Sequence, residues 1–399
     1  MKNILLLTNI YPMNDPSYDG TPVCHFFTRE WVKSGYNVRV VHFMSLFPRP
    51  YYWAGRMFGD VIAAKTGCVT YSHPSRHPQN YEVDGVPVLY VPIVKYIPHR
   101  NFAPRRIQAA FDYVCQELEK EGFVPDVVTA HFPMPQLEML YLFKQKFPSV
   151  KTCLVLHGDG SQIPTIYQDK YQQYMDAVET WGFRSLAFKQ QFEALFGAKP
   201  QEFLCYSGIP ELFLHHEERA FAQGVSKFVF VGSLFKLKNV DVTLKALHQA
   251  FPEGDFEFHV VGGGAEDASL RSLTEELDIQ SQVVFHGQVK RDEAQQIMQE
   301  ADCFVMVSSR EAFGLVYVEA MAKGCITVAT KGQGIDGVIV DGENGFLCES
   351  NNVEALAATL KHIRSLSAEQ LRAISLKAVK KACELTDAKV ADHYLNSIK

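Results

Sequence analysis

Along this chain, short apolar runs alternate with amphipathic stretches of helical spacing, and the alternation occurs twice. In the first half, Ile4 to Thr8, Val38 to Phe43, Val86 to Val91, Asp126 to Ala130 and Thr152 to His157 read as strands. Val23 to Ser34, Arg106 to Glu121 and Pro135 to Lys146 read as the helices between them. Residues 44–80 are rich in Pro, Tyr and His and lack a period, which predicts an insertion on a ligand-facing rim. The second half repeats the strand pattern with Phe228 to Gly232, Phe256 to Gly262, Val283 to Gly287, Cys303 to Ser308 and Ile326 to Ala329. Such alternation predicts βαβ units, and hence two α/β domains built on parallel sheets. The expected boundaries are 1–206 for the first domain, 207–226 for a polar hinge opening on Ser207-Gly208-Ile209-Pro210, and 227–385 for the second domain. Residues 386–399 form a last helix able to cross back to the first domain. Ligands of open parallel sheets bind beyond the carboxyl ends of the strands, so two such sheets facing one another would share one cleft.

Charge separates the halves. Residues 1–200 carry about +3 and the remainder about −9. No long basic run or RNA-binding signature accompanies the positive half, which therefore suits an anionic acceptor or lipid surface and not nucleic acid. The nine cysteines are scattered singly, without a C-x-x-C pair, as expected in a reducing cytosol. The apolar run Ile4 to Leu7 is too short for a signal-peptide core, and no run of about 18 apolar residues occurs, so the expected setting is cytoplasmic, with any membrane contact peripheral.

The chemistry concentrates in residues 303–324. After the strand Cys303-Phe304-Val305-Met306-Val307, Glu311 stands where strand gives way to helix, and Glu319 follows eight positions later, about 12 Å along a helix axis. The backbone N–H groups of Phe313, Gly314 and Leu315 open that helix at its positive end, a place suited to a pyrophosphate. The two carboxylates can then bracket the phosphate, one accepting from sugar hydroxyls and the other from a ribose diol. The alternative is purely structural: a glutamate favouring a helix start, with Phe313, Leu315, Val316 and Val318 packing a core. Two strand-to-helix glycine turns accompany this run, Gly232-Ser233-Leu234-Phe235-Lys236-Leu237-Lys238 and Gly262-Gly263-Gly264, where glycine permits close backbone approach to a ligand.

On these motifs the chain resembles glycosyltransferase family 4, whose retaining enzymes have the GT-B fold of two facing Rossmann-like domains. The E-x7-E pattern matches Glu311 and Glu319, the Gly-Arg/Ser-Leu-x-x-x-Lys turn matches Gly232 to Lys238, and the G-x-G turn matches Gly262 to Gly264. The resemblance implies an acceptor-binding first domain and a donor-binding second domain. It further implies that Glu311 contacts the donor sugar, Glu319 the ribose and Lys238 the diphosphate, with Gly232, Ser233, Gly262, Gly264, Phe313, Gly314 and Leu315 around the donor. Ser233 departs from the family, many of whose members carry arginine there, and so moves the diphosphate charge onto Lys238.

On the first domain, His157 in Leu156-His157-Gly158-Asp159 stands at a strand end, where the family places a sugar-contacting histidine. His131 ends another strand in the same way and is either an acceptor-side or a structural residue. Asp159 is a second acceptor-side candidate, and Gly20 matches a glycine loop near donor and acceptor. The segment from Lys95 to Arg106 mixes cations and aromatics and is either a contact for a phospholipid or lipid-diphosphate acceptor or a solvated loop. No hydrolytic triad, metal-ligand cluster or Walker lysine occurs, so no metal or other cofactor is expected. The substrates expected are a nucleotide diphosphate sugar and a saccharide or lipid-linked saccharide acceptor, of the kind used in cell-surface polysaccharide or glycolipid synthesis. A nucleotide-sugar epimerase or hydrolase and a non-catalytic sugar-nucleotide-binding subunit are the alternatives.

Overall fold

The structure is a computed structural model and describes residues 2–13, 22–50, 52, 75–96, 100–215 and 218–399. The chain forms two compact units. One comprises residues 1–184, 188–205 and 390–399, and the other residues 185–187 and 206–389.

The first unit holds an eight-stranded sheet. Its strands are β1 (Asn3–Thr8), β2 (Asn37–Leu46), β3 (Gln79–Val83), β4 (Val86–Val94), β5 (Val127–His131), β6 (Lys151–Leu156), β7 (Thr180–Phe183) and β8 (Glu202–Leu204). They lie in the order β3-β4-β2-β1-β5-β6-β7-β8, all parallel except the edge pair β3–β4. The central strands are buried along nearly their whole length, which is why they read as unbroken apolar runs and not as alternation. Helix Pro104–Lys120 starts on a proline at its first position and buries Ile107, Ala110, Phe111, Val114, Cys115 and Leu118, a single stripe at helical spacing. With helix Gln136–Lys146 it covers one face of the sheet around Phe143 and Trp181. The final helix, Asp387–Ile398, contributes Tyr394 to this unit, where the ring meets Phe27 and Trp31 of helix Val23–Lys33 edge-on and Ala391 accepts from the Trp31 indole.

The five expected strands of this half are present within one to three residues at each end. Strands β3, β7 and β8 were not expected. The last two span only four and three residues, too few for a period to show, and β3 begins in the last two residues of the stretch read as insertion, paired to β4 through a two-residue turn. Most of the rest of that stretch, like Gly20, lies outside the described residues.

The second unit carries β9 (Lys227–Val231), β10 (Glu257–Val261), β11 (Val283–Gly287), β12 (Cys303–Val305), β13 (Ile326–Thr330) and β14 (Phe346–Cys348) in the all-parallel order β11-β10-β9-β12-β13-β14. The reversal of strand order falls between β9 and β12, which pair at Cys303 with Phe228 and Phe304 with Val229. Residues 207–215 and 218–226 belong to this unit. Ile209 bridges Thr386, and the Arg219 guanidinium donates to the carbonyls of Ala301 and Lys323, capping the ends of helices Arg291–Glu300 and Leu315–Ala322.

The glycine turns after β9 and β10 lie backbone against backbone. Gly232 N–H donates to the Val261 carbonyl and Leu234 N–H to the Gly263 carbonyl. A Cβ at Gly262 would stand 1.9 Å from the Gly232 carbonyl oxygen, and one at Gly264 would stand 2.4 Å from that of Leu234. These glycines are thus required by the neighbouring turn of the same chain, where a close approach to ligand was expected. Gly262 also has φ of 137°, outside the range of ordinary side chains. Gly262→Ala is therefore expected to destabilise the second unit by about 2 kcal/mol or more. A denaturation midpoint equal to that of the wild type would show that the two turns separate freely.

Candidate functional site

Open parallel sheets bind ligands at the crevice where strand order reverses, and in the second unit that crevice lies beyond the ends of β9 and β12. Lys238 follows β9 and Glu311 follows β12. Their side chains meet in an ion pair of 2.6 Å, both partly buried. Asn239 holds the two loops in register. Its backbone is left-handed, its side chain is buried, and its amide donates to the Val307 carbonyl and the Ser309 hydroxyl, while Ser309 N–H donates to the Leu237 carbonyl. From the other side, Gly334 N–H donates to the Glu311 carbonyl and Gln333 accepts from the Glu311 N–H. Helix Leu315–Ala322 then begins at Gly314, which adopts φ of 80° and brings no side-chain cap to the first turn. Tyr317 N–H closes back on the Gly314 carbonyl, and the first two N–H groups, of Leu315 and Val316, can face an anion.

In the first unit, His131 ends β5 and His157 directly follows the neighbouring β6. His131 Nδ1 lies 2.9 Å from His157 Nε2, and His131 Nε2 lies 3.2 Å from the Tyr394 hydroxyl, itself 2.5 Å from Thr129 Oγ1. Phe132 stacks on His157 at 4.0 Å. Burial, reinforced by the Arg184 guanidinium, lowers the His131 pKa to about 3, and burial with His131 and Arg184 holds His157 well below the usual imidazole range. Both rings are neutral.

These two arrangements can be set beside known proteins. Residues 214–381, almost the whole second unit, match the family model described as glycosyl transferases group 1. The second unit is thus similar to the group 1 glycosyl transferases. The N-acetyl-alpha-D-glucosaminyl L-malate synthase of Bacillus anthracis is 30% identical over 141 residues, 35% of this chain and 36% of that protein. The chain thus spans little more than a third of this relative's length. The uncharacterized glycosyltransferase MJ1178 of Methanocaldococcus jannaschii is 27% identical over 261 residues, 64% of this chain and 69% of its own. Among solved structures, Anabaena Alr3699/HepE in complex with UDP has a TM-score of 0.68 at 16% identity, covering 100% of this chain and 99% of its own. The fold is GT-B.

Within the second unit, the crevice gathers only part of what the motifs suggested. Glu319 is 8% exposed, and each of its carboxylate oxygens already has a partner: Arg291 Nη2 at 2.6 Å and Gln295 Nε2 at 2.6 Å. Burial pushes its carboxyl up against the pull of Arg291 and Gln295. Any ribose diol must share these acceptors. Arg291 and Gln295 were not anticipated, because two polar residues four apart on helix Arg291–Glu300 look like an ordinary solvated face. Ser233 is exposed, and Phe313 is a buried ring stacked on Tyr206 at 5.2 Å. Lys236 turns outward to Asp241 at 2.8 Å.

In the first unit His131, read as either an acceptor-side or a structural residue, is 0% exposed and hydrogen-bonds the half-buried His157. Asp159 accepts from the N–H and hydroxyl of Ser161, which ties it into its own turn.

The neutral His131 generates a pH dependence. Its pKa is about 3 when folded and about 6.5 when unfolded, so between these values the unfolded chain binds more protons and stability falls as pH is lowered. His131→Asn should flatten the fall in denaturation midpoint between pH 7 and 5 by up to about 1.4 kcal/mol per pH unit. An unchanged slope would mean that His131 titrates in the folded state as it does in water.

Proposed function

We propose that this chain is a retaining glycosyltransferase, transferring a hexose from a nucleoside diphosphate sugar to a hydroxyl of a saccharide or lipid-linked saccharide acceptor. The observation that carries the proposal is the Lys238–Glu311 pair at the strand-order reversal, beside the uncapped start of helix Leu315–Ala322. An ammonium group has three N–H donors, so Lys238 can keep Glu311 in place and still donate to a diphosphate oxygen. Glu311 in turn accepts from sugar hydroxyls, and the helix N-terminus takes up charge as the nucleoside diphosphate departs. In this reading the leaving phosphate removes the acceptor's proton on the face from which it departs, which retains configuration, and protein groups neutralise the charge that a metal handles in other transferases. Glu319 accepts from the ribose, with Arg291 and Gln295 holding its oxygens. His157 is the proposed sugar contact from the first unit. The UDP bound to the Anabaena neighbour makes uridine donors the first to test.

The setting proposed is cytoplasmic, in cell-surface polysaccharide or glycolipid synthesis. Among the described residues no helix is long and apolar enough to cross a membrane. In the stretch from Lys95 to Arg106, exposed Tyr96 hydrogen-bonds and stacks with Arg106, which suits a peripheral contact with an anionic surface.

Thermal stabilisation by UDP-, GDP- and ADP-sugars identifies the donor. With that donor saturating, Glu311→Ala should lower turnover at least a hundredfold with the fold intact. One charged hydrogen bond contributes roughly 1.5 to 3 kcal/mol, so Lys238→Ala should cost about ten- to a hundredfold, while Lys236→Ala stays within about twofold. Equal and small effects for the two lysine variants would remove Lys238 from the donor site.

A further inference from the structure

The mechanism above makes no use of Tyr394, a fully buried phenol in the last helix, beyond the span of the family match. Its ring is fixed by Phe27, Trp31 and Phe203, with centroids 5.1 to 5.2 Å away, and its hydroxyl lies between Thr129 Oγ1 and His131 Nε2. A neutral imidazole has one N–H, yet both nitrogens of His131 have partners, so exactly one of them donates and the other accepts. The Tyr394 hydroxyl has one proton and three neighbours, Thr129 Oγ1, His131 Nε2 and the Cys153 thiol, whose neutral sulfur is only a weak acceptor. An imidazole nitrogen is a stronger base than an aliphatic hydroxyl, and a phenol is a stronger acid than either, so that proton goes to His131 Nε2 and Thr129 donates to the phenol oxygen.

The remaining protons then follow in order. Nε2 of His131 accepts, its N–H stands on Nδ1 and donates to Nε2 of His157, and the proton of His157 is left on Nδ1. We propose that Tyr394 is a positioning residue which, through His131, sets the tautomer of His157, so that His157 meets its ligand as an Nδ1–H donor and not as a base. This rests on the reading of His157 as a sugar contact. It adds that the ligand atom opposite His157 is an oxygen acceptor, and that the proton of the acceptor hydroxyl leaves by another route.

Imidazole nitrogen NMR on the full-length chain tests the tautomer without any donor, with the His157 signals assigned by their loss in His157→Ala. In the wild type the expected state is a neutral His157 protonated at Nδ1. Tyr394→Phe should yield a mixture or the Nε2–H form, and His131→Asn, whose amide can donate from the place of Nδ1, should keep Nδ1–H on His157 with or without the tyrosine. With UDP-glucose as probe, Tyr394→Phe should lower the hydrolysis rate on the order of tenfold, as is typical for an outer partner of a functional histidine, and should have no such effect in the His131→Asn background. An Nε2–H tautomer in the wild type, or a tautomer unmoved by Tyr394→Phe, overturns the proposal. Unchanged UDP-glucose hydrolysis in His157→Ala would instead overturn the reading of His157 as a sugar contact and leave the tautomer result standing.

Discussion

The pairing of β9 with β12 is the constraint on which the candidate site of the second unit depends. Strand β9 has β10 on one flank and β12 on the other, so the helices that follow it and β12 leave from opposite sides of a shared crevice. Into that opening come one cation, one carboxylate and one helix start, all from loops that would lie far apart in any other strand order. The Lys238–Glu311 pair closes it. In the absence of ligand each group satisfies the other, which avoids leaving a partly buried charge unpaired.

Support for the pair is mostly uncharged. Asn239 adopts a left-handed backbone, which asparagine tolerates better than most residues, and spends its amide on the loop that carries Glu311. The glycine turns after β9 and β10 lie so close that neither accepts a side chain at Gly262 or Gly264, and this fixes where the turn ahead of Lys238 begins. Arg219 ties the ends of the helices that carry Arg291 and Glu319 to one guanidinium. The second unit thus devotes much of its polar inventory to holding three loops still, as the proposed charge stabilisation would require.

The first unit solves a different problem. Its His131 is stripped of water and His157 is half-buried beside it, both near a buried arginine, so the two remain neutral and serve as directional hydrogen-bonding groups. A chain of hydroxyl and imidazole groups running from Thr129 through Tyr394 and His131 ends at His157. Order in that chain depends on the last helix packing against helix Val23–Lys33.

Hydrophobic periodicity by itself determined that two parallel α/β sheets form, because the buried central strands have to be apolar on both faces and their helices apolar on one. Local chemistry likewise marked Glu311, Lys238 and the start at Gly314, since a glycine ahead of a helix beside a carboxylate is visible in a few consecutive residues. Strands of three or four residues, such as β7, β8 and β14, carry too little pattern to be seen. Which strands became neighbours, that Glu319 is sheltered by Arg291 and Gln295, and that Tyr394 reaches His131 across 263 positions were decided only by tertiary packing. Each of these depends on burial and on contacts between residues remote in sequence, and a hydrogen bond between such residues leaves no periodic trace in the order of the amino acids.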